Sequence, residues 1–151
     1  MQALTKHEDS VVNVLKTPVD VSPLGESKWM TFTGLWDTGA TESVITSDVA
    51  KALGLSPVAT TVSRGVGGPM VTSVYLLSIK LPGDIVFNLQ VTEGEPGGGW
   101  DVLIGMDVIS HGDFCVSNFG GKTVFSFRIP SGGETDYVQM IKDCASDINE
   151  A

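Results

Sequence analysis

The clearest periodic segments of this chain alternate apolar and polar residues with the period of two that a half-buried strand requires. Residues 29–36, Trp-Met-Thr-Phe-Thr-Gly-Leu-Trp, are aromatic, β-branched and roughly alternating. Residues 84–91 repeat the pattern through Ile85, Phe87, Leu89 and Val91. Two further runs, 58–62 and 70–81, flank Arg64-Gly65-Val66-Gly67-Gly68-Pro69 and predict a long hairpin with a glycine-rich tip. Residues 101–104 are apolar after the first position, which fits a short strand buried on both faces and packed behind the turn that follows residue 36. Residues 113–117 and 123–129 form another hairpin across Asn118-Phe119-Gly120-Gly121-Lys122. Residues 43–46 give a short strand, after which Ser47 caps a helix over 48–53 that stops at Gly54.

The two ends read differently. The first ten residues look like a loose arm, and 11–15 are the first strand candidate. Pro18, Pro23 and Gly25 interrupt regular structure over 17–26. Helical spacing is sustained over 134–148, where Tyr137, Met140, Ile141, Cys144 and Ile148 form one apolar stripe, expected to pack on the chain's own core. The pattern as a whole is all-β, with one short internal helix and a C-terminal helix.

With 151 residues the chain reads as one domain, with its core over about 11–130 and the helix after it. A formal charge of −9 with only nine Lys and Arg argues against nucleic acid as a partner, because phosphates demand cations. The polar start lacks a secretory core, so Cys115 and Cys144 read as reduced thiols of a cytoplasmic protein. No apolar run approaches the ~18 residues of a membrane span. His7 and His111 lack metal-ligand spacing with Cys or acids, so no metal or other cofactor is expected.

One stretch carries chemistry. In Leu35-Trp36-Asp37-Thr38-Gly39-Ala40-Thr41 an acid ends an apolar strand and a turn follows. A carboxylate there needs donors, and the Gly39 N–H, unobstructed by a Cβ, is placed to supply one. The plain alternative is an Asp that merely bonds its own turn.

Asp37-Thr38-Gly39-Ala40-Thr41 resembles the active-site signature of aspartic proteases, and a single copy in a chain of this size resembles the retroviral-type, retropepsin-like branch. Gly65-Val66-Gly67-Gly68 lies where that family has its flap tip. Val102-Leu103-Ile104-Gly105 with Met106-Asp107-Val108-Ile109 is similar to its second conserved segment and short helix. The resemblance covers roughly residues 28–110. It implies a closed β-barrel with a flap hairpin, active as a homodimer that hydrolyses peptide bonds in extended chains.

In that family two facing carboxylates hold one proton between them, so one acts as base toward a water while the other hydrogen-bonds the scissile carbonyl; this pair is a standard case of coupled titration. Mildly acidic pH should favour activity. Asp37, Thr38 and Gly39 match the catalytic loop, Thr38 being the residue whose hydroxyl bonds across the dimer. Ala40, Thr41, Glu42, Val44, Gly65, Val66, Gly67 and Leu103 match substrate-facing positions, although Thr41 departs from the acid that retroviral members often carry. Asp107 reads as a charge at a helix start, outside the catalytic set. The runner-up function is a retropepsin-like dimerisation or peptide-binding module with little or no turnover. Retroviral members end soon after the segment matched by Gly105, whereas this chain continues, so its dimer could be built differently.

Overall fold

The computed structural model describes residues 1–65 and 68–149, with side chains throughout these except at 63–65 and 146–149. The predicted alternation is realised as β2 (Lys16–Pro23), β3 (Met30–Trp36), β4 (Val44–Thr46), β5 (Ala59–Gly65), β6 (Gly68–Leu81), β7 (Ile85–Gly94) and β8 (Val102–Ile104), preceded by β1 (Gln2–His7) and followed by β9 (Asp113–Ser117) and β10 (Val124–Ile129). Three helices, α1 (Ser47–Leu53), α2 (Met106–Ile109) and α3 (Tyr137–Asn149), interrupt or follow them.

One sheet runs in the order β2-β3-β8-β4-β7-β6-β5, and β2 also pairs with β6, so six strands close into a barrel while β5 stays outside it, paired among the described residues only to β6. Closure places every inward side chain against another strand. Val19, Val21, Ile45, Leu77, Ile79, Val91, Val102 and Ile104 are all within 1% of complete burial. The second sheet, β1-β10-β9, lies against Trp36 at the end of β3. Trp36 stacks on Phe114 at 5.4 Å between centroids and meets Phe127 at 5.3 Å and Phe125 at 6.0 Å. Its Nε1–H donates to Thr17 Oγ1 at 3.0 Å, so the buried indole keeps its polar edge satisfied.

Four expectations need correction. Residues 2–7 are not a loose arm: they pair along all of β10, from Gln2 opposite Ile129 to His7 opposite Val124, with Leu4 buried. Residues 11–15 are not the first strand. They form a connection whose Leu15 carbonyl accepts the Trp36 N–H, and the strand instead runs through Pro18 to Pro23. Since β6 pairs with β2 only over Asp20–Pro23, no strand lies beside Pro18 on that side for its missing N–H to disrupt, and Pro23 ends the strand. The N-cap of α1 is Thr46 rather than Ser47, and it makes no side-chain cap bond; Gly54 closes the helix at φ 65° as expected.

The apolar stripe of α3 is not packed on the core: Tyr137, Met140 and Ile141 are 59%, 55% and 70% exposed, and Cys144 is exposed as well. The side chain of Ile148 lies outside those described. The helix starts where Asp136 accepts hydrogen bonds from the N–H groups of Val138 and Gln139, a side-chain cap not anticipated from the pattern. Cys115 and Cys144 are free. Among the described residues no helix is long and apolar enough to cross a membrane.

Between the barrel and α3 the chain is pinned by Asp113, whose carboxylate accepts from the Gly132 N–H at 2.9 Å, the Ser131 hydroxyl at 2.6 Å and Arg128 Nε at 2.6 Å. The Gly132 N–H first, then Ser131 and Arg128, hold its carboxyl at about 2, below the ordinary 3.8. A lowered value means that the folded state favours the charged form, so this stabilisation is complete above 3.8 and lost as pH falls through about 2. Asp113→Ala should therefore lower the urea midpoint at neutral pH, and the gap from wild type should close between those two values when unfolding is followed against pH.

Candidate active site

The loop that carries Asp37 is held mostly by residues far from it in sequence. β8 inserts between β3 and β4, parallel to the first with Leu35 opposite Leu103, and antiparallel to the second with Val44 opposite Leu103. That insertion lets the Ile104 carbonyl accept the Asp37 N–H at 3.0 Å. Ala40 N–H then donates to the Asp37 carbonyl at 3.3 Å, closing the turn, and Gly39 N–H donates to Asp37 Oδ1 at 2.8 Å as expected from the sequence. A Cβ on Gly39 would sit 3.1 Å from that same oxygen. Asp37 is partly exposed and Thr38 exposed, and among the described residues the Thr38 hydroxyl has no hydrogen-bond partner.

Residues 40–43 are fastened to the start of α2. Met106 N–H donates to the Ala40 carbonyl at 2.8 Å and Asp107 N–H to the Thr41 carbonyl at 3.2 Å. Ser43, completely buried, accepts from Gly105 N–H at 3.1 Å through its hydroxyl, which donates to Asp107 Oδ1 at 2.8 Å; its own N–H donates to Asp107 Oδ2 at 2.9 Å. Asp107 is thus more than a charge at a helix start, because both of its oxygens hold Ser43. The sequence offered little sign of this, since Ser43 and Asp107 are 64 positions apart. Gly105 is required here: a Cβ would lie 2.7 Å from the carbonyl carbon and oxygen of Glu42.

A cleft of about 490 Å³ opens beside the loop. It is lined by Gly39, Ala40, Thr41, Glu42 and Val44, by Thr61 and Val62 of β5, and by Thr92 of β7, the strand partner of Val44. The last three were not anticipated, because residues of a flap strand and of the barrel wall carry no signature of their own. Leu103 is not among the lining residues; it is paired between Leu35 and Val44 and partly buried. Gly65 and Gly68 are the last paired residues of the β5–β6 hairpin, with Gly68 at φ 100°; Val66 and Gly67 lie outside the described residues. Behind the cleft, Tyr75 donates its hydroxyl to Glu93 Oε2 at 2.5 Å, and burial, then this bond, push the Tyr75 phenol up. Among the described residues no group of His, Cys, Asp and Glu is arranged to hold a metal ion.

A closed six-stranded barrel with an Asp-Thr-Gly turn at the mouth of β3 and a hairpin beside it defines the retropepsin-like class of aspartic proteases. The family model described as "gag-polyprotein putative aspartyl protease" matches residues 29–111, and the chain belongs to that family. Its fold is similar to that of the retropepsin-like aspartic protease from Rickettsia conorii, with a TM-score of 0.54 at 15% identity, covering 83% of this chain and 91% of that one. It is also similar to EIAV protease, solved with the inhibitor HBY-793, with a TM-score of 0.51 at 22% identity, covering 65% and 86%. No curated protein matches the chain in sequence.

Removing the Ser43 hydroxyl would orphan the buried Gly105 N–H and free one Asp107 oxygen. Ser43→Ala should cost about 1–3 kcal/mol of stability, read as a lowered urea midpoint at unchanged slope.

Proposed function

We propose that the chain is an aspartic endopeptidase, each subunit a single retropepsin-like domain, that works as a homodimer with one Asp37 from each copy. The observation that carries this reading is the Asp37 turn itself: its carboxylate is partly exposed, oriented by Gly39, and set beside an open cleft, yet the sequence holds no second Asp-Thr-Gly to complete a pair. Two such turns across a two-fold axis would bring the carboxylates together. Like charges so close favour retention of one shared proton, which leaves one oxygen basic and another acidic. The basic side takes a proton from water as it attacks the scissile carbonyl, and the acidic side donates to the carbonyl oxygen. No bond forms between enzyme and peptide. Thr38, whose hydroxyl has no partner among the described residues of the single subunit, bonds the opposite loop.

The cleft supports an extended peptide as substrate. Its floor is the 39–44 segment and its far wall is β5 of the flap hairpin, an edge strand that offers backbone groups to a chain laid beside it. Ala40, Thr41, Glu42 and Val44 then meet substrate side chains from below, with Thr61 and Val62 above.

Asp37→Asn separates an enzyme from a binding module. It should reduce kcat on an unstructured peptide by about 10²–10⁴-fold while leaving the solution mass and thermal unfolding unchanged. A wild-type protein that is dimeric yet inert toward a broad peptide library at mildly acidic and neutral pH would favour the module instead.

A further inference from the structure

The sheet face that carries the cleft extends beyond it. In β3, β8, β4 and β7 the register brings Leu35, Leu103, Val44 and Thr92 into one row, of which Val44 and Thr92 line the cleft. Side chains return to one face every second residue, so the next row on that face is Thr33, Asp101, Thr46 and Gly94, about 7 Å along the strands. The Thr46 N–H donates to the Asp101 carbonyl at 2.9 Å and the Asp101 N–H to the Thr33 carbonyl at 2.9 Å, which fixes this alignment. A second cavity, of about 410 Å³, lies over the row. It is bounded by Thr33, Thr46, Asp101, Asp48 of α1, Trp100 and the glycine-rich loop that precedes Trp100.

Two properties of this cavity point to a ligand. Thr46 is 2% exposed, and among the described residues its Oγ1 is the buried side-chain polar atom that lacks a hydrogen-bond partner. Although Thr46 is the N-cap of α1, its hydroxyl makes no cap bond. A buried hydroxyl left in this way costs stability, which a ligand with a donor to offer would recover. The second property is the set of acceptors around it. Asp101 gives one oxygen to the Thr33 N–H at 2.8 Å and, among the described residues, has no ion-pair partner. Asp48 meets Lys51 at 3.7 Å in an exposed pair of little strength. The Trp100 indole is partly exposed and lies against Gly98, where a Cβ would collide with its Nε1. Lys16 pins the loop by donating to the Gly99 carbonyl at 2.6 Å but does not line the cavity.

We propose that this cavity binds the guanidinium of an arginine side chain carried by the peptide that lies in the cleft. A guanidinium presents five N–H donors in a plane and no acceptor, which matches a site made of acceptors beside an aromatic ring. Its face lies on Trp100, its edges donate to the Asp101 and Asp48 carboxylates, and one N–H reaches the Thr46 hydroxyl. Two carboxylates exclude an anion. An ammonium, with its donors at one point, cannot serve them and stack on the ring together. Because the cavity is one row from Val44 on the same sheet face, the stem of an arginine on an extended chain spans the step. This rests on the endopeptidase reading above and adds a side chain that the substrate carries.

The test uses the full chain carrying Asp37→Asn, so that binding is followed without turnover. N-acetyl-arginine amide should shift the Trp100 indole N–H resonance saturably in a proton–nitrogen correlation spectrum, the resonance being identified by its loss in Trp100→Phe. Its uncharged isostere, N-acetyl-citrulline amide, should bind at least about fivefold more weakly. Asp101→Asn, which keeps an oxygen for the Thr33 N–H, should weaken arginine binding by at least the same factor. Thr46→Val should weaken it too while leaving the thermal midpoint unchanged or raised, because the hydroxyl it removes has no partner in the folded chain. A lowered midpoint with unaltered arginine binding would make that hydroxyl structural and overturn its part in the site. Equal affinity for the two amides, or a Trp100 resonance that does not move, overturns the site and leaves the paired Asp37 chemistry standing.

A second measurement addresses the substrate. Wild type incubated with a proteome-derived peptide library should leave products in which arginine is enriched at one fixed distance from the cleaved bond, and Asp101→Asn should cancel the enrichment. On a single arginine-bearing peptide the same substitution should raise KM and leave kcat unchanged. Cleavage without arginine enrichment overturns the substrate assignment. A wild type that cleaves nothing overturns the endopeptidase reading and the substrate assignment with it, while the Trp100 shift still decides whether the cavity takes arginine.

Discussion

The buried hydroxyl of Ser43 joins two segments that local sequence would never bring together. It accepts from Gly105 and donates to Asp107, so the chain after Asp37 and the chain after β8 become one rigid body. Within the Asp37 turn itself Ala40 and Gly39 contribute hydrogen bonds; further restraints come from Ile104, Met106 and Asp107. The position of the carboxylate is therefore a long-range property of the fold. A network of this kind stabilises only when every member is satisfied, and here Ser43 uses its N–H, its O–H and a lone pair. Glycine at 105 is the steric condition for it, since the Glu42 backbone occupies the space a side chain would need.

A second close approach serves the barrel in the same way. At Gly34 a Cβ would stand 2.7 Å from Val19 Cγ1 and 3.1 Å from Ile104 Cδ1, so β2, β3 and β8 meet more tightly there than side chains would allow. Two residues on, Trp36 turns its ring into the cluster of Phe114, Phe125 and Phe127. The same strand thus ties the barrel to the three-stranded sheet and ends in Asp37.

How much of this could be read from the letters follows from how local each feature is. The Asp37 turn, the glycine-rich hairpin and the barrel strands from β3 to β8 were legible because alternation, turn residues and a recognisable signature coincide there. β1 was hidden because only Leu4 among its six residues is buried; its stability comes from pairing with β10, which lies more than a hundred positions away. β2 was hidden because prolines forbid a ladder only where the missing N–H faces a strand, and which side faces one is settled by the closed barrel. The helical period of α3 was read correctly, but a period says only that one face is apolar. It does not say what covers that face. The bonds of Ser43 and Asp107, and the part Thr61, Val62 and Thr92 take in the cleft, depend on packing and left no pattern in the chain.

The two sides of the cleft are made by different physics. Its floor is fixed by buried hydrogen bonds to the ends of β8 and α2. Its roof, where β5 leaves the barrel, is a two-stranded ribbon, and ribbons of that kind gain little stability alone. Val62, Met70 and Val71 on this ribbon are 60%, 53% and 70% exposed, so the isolated subunit leaves apolar side chains there in water. Covering them would release free energy roughly in proportion to the apolar area removed. An extended chain between roof and floor could do so while adding ladder bonds to β5. Such a site would hold the carboxylate fixed before any substrate arrives and draw the energy for closure from the substrate itself, which is the arrangement expected when the chemistry demands a positioned acid and the ligand is a long flexible chain.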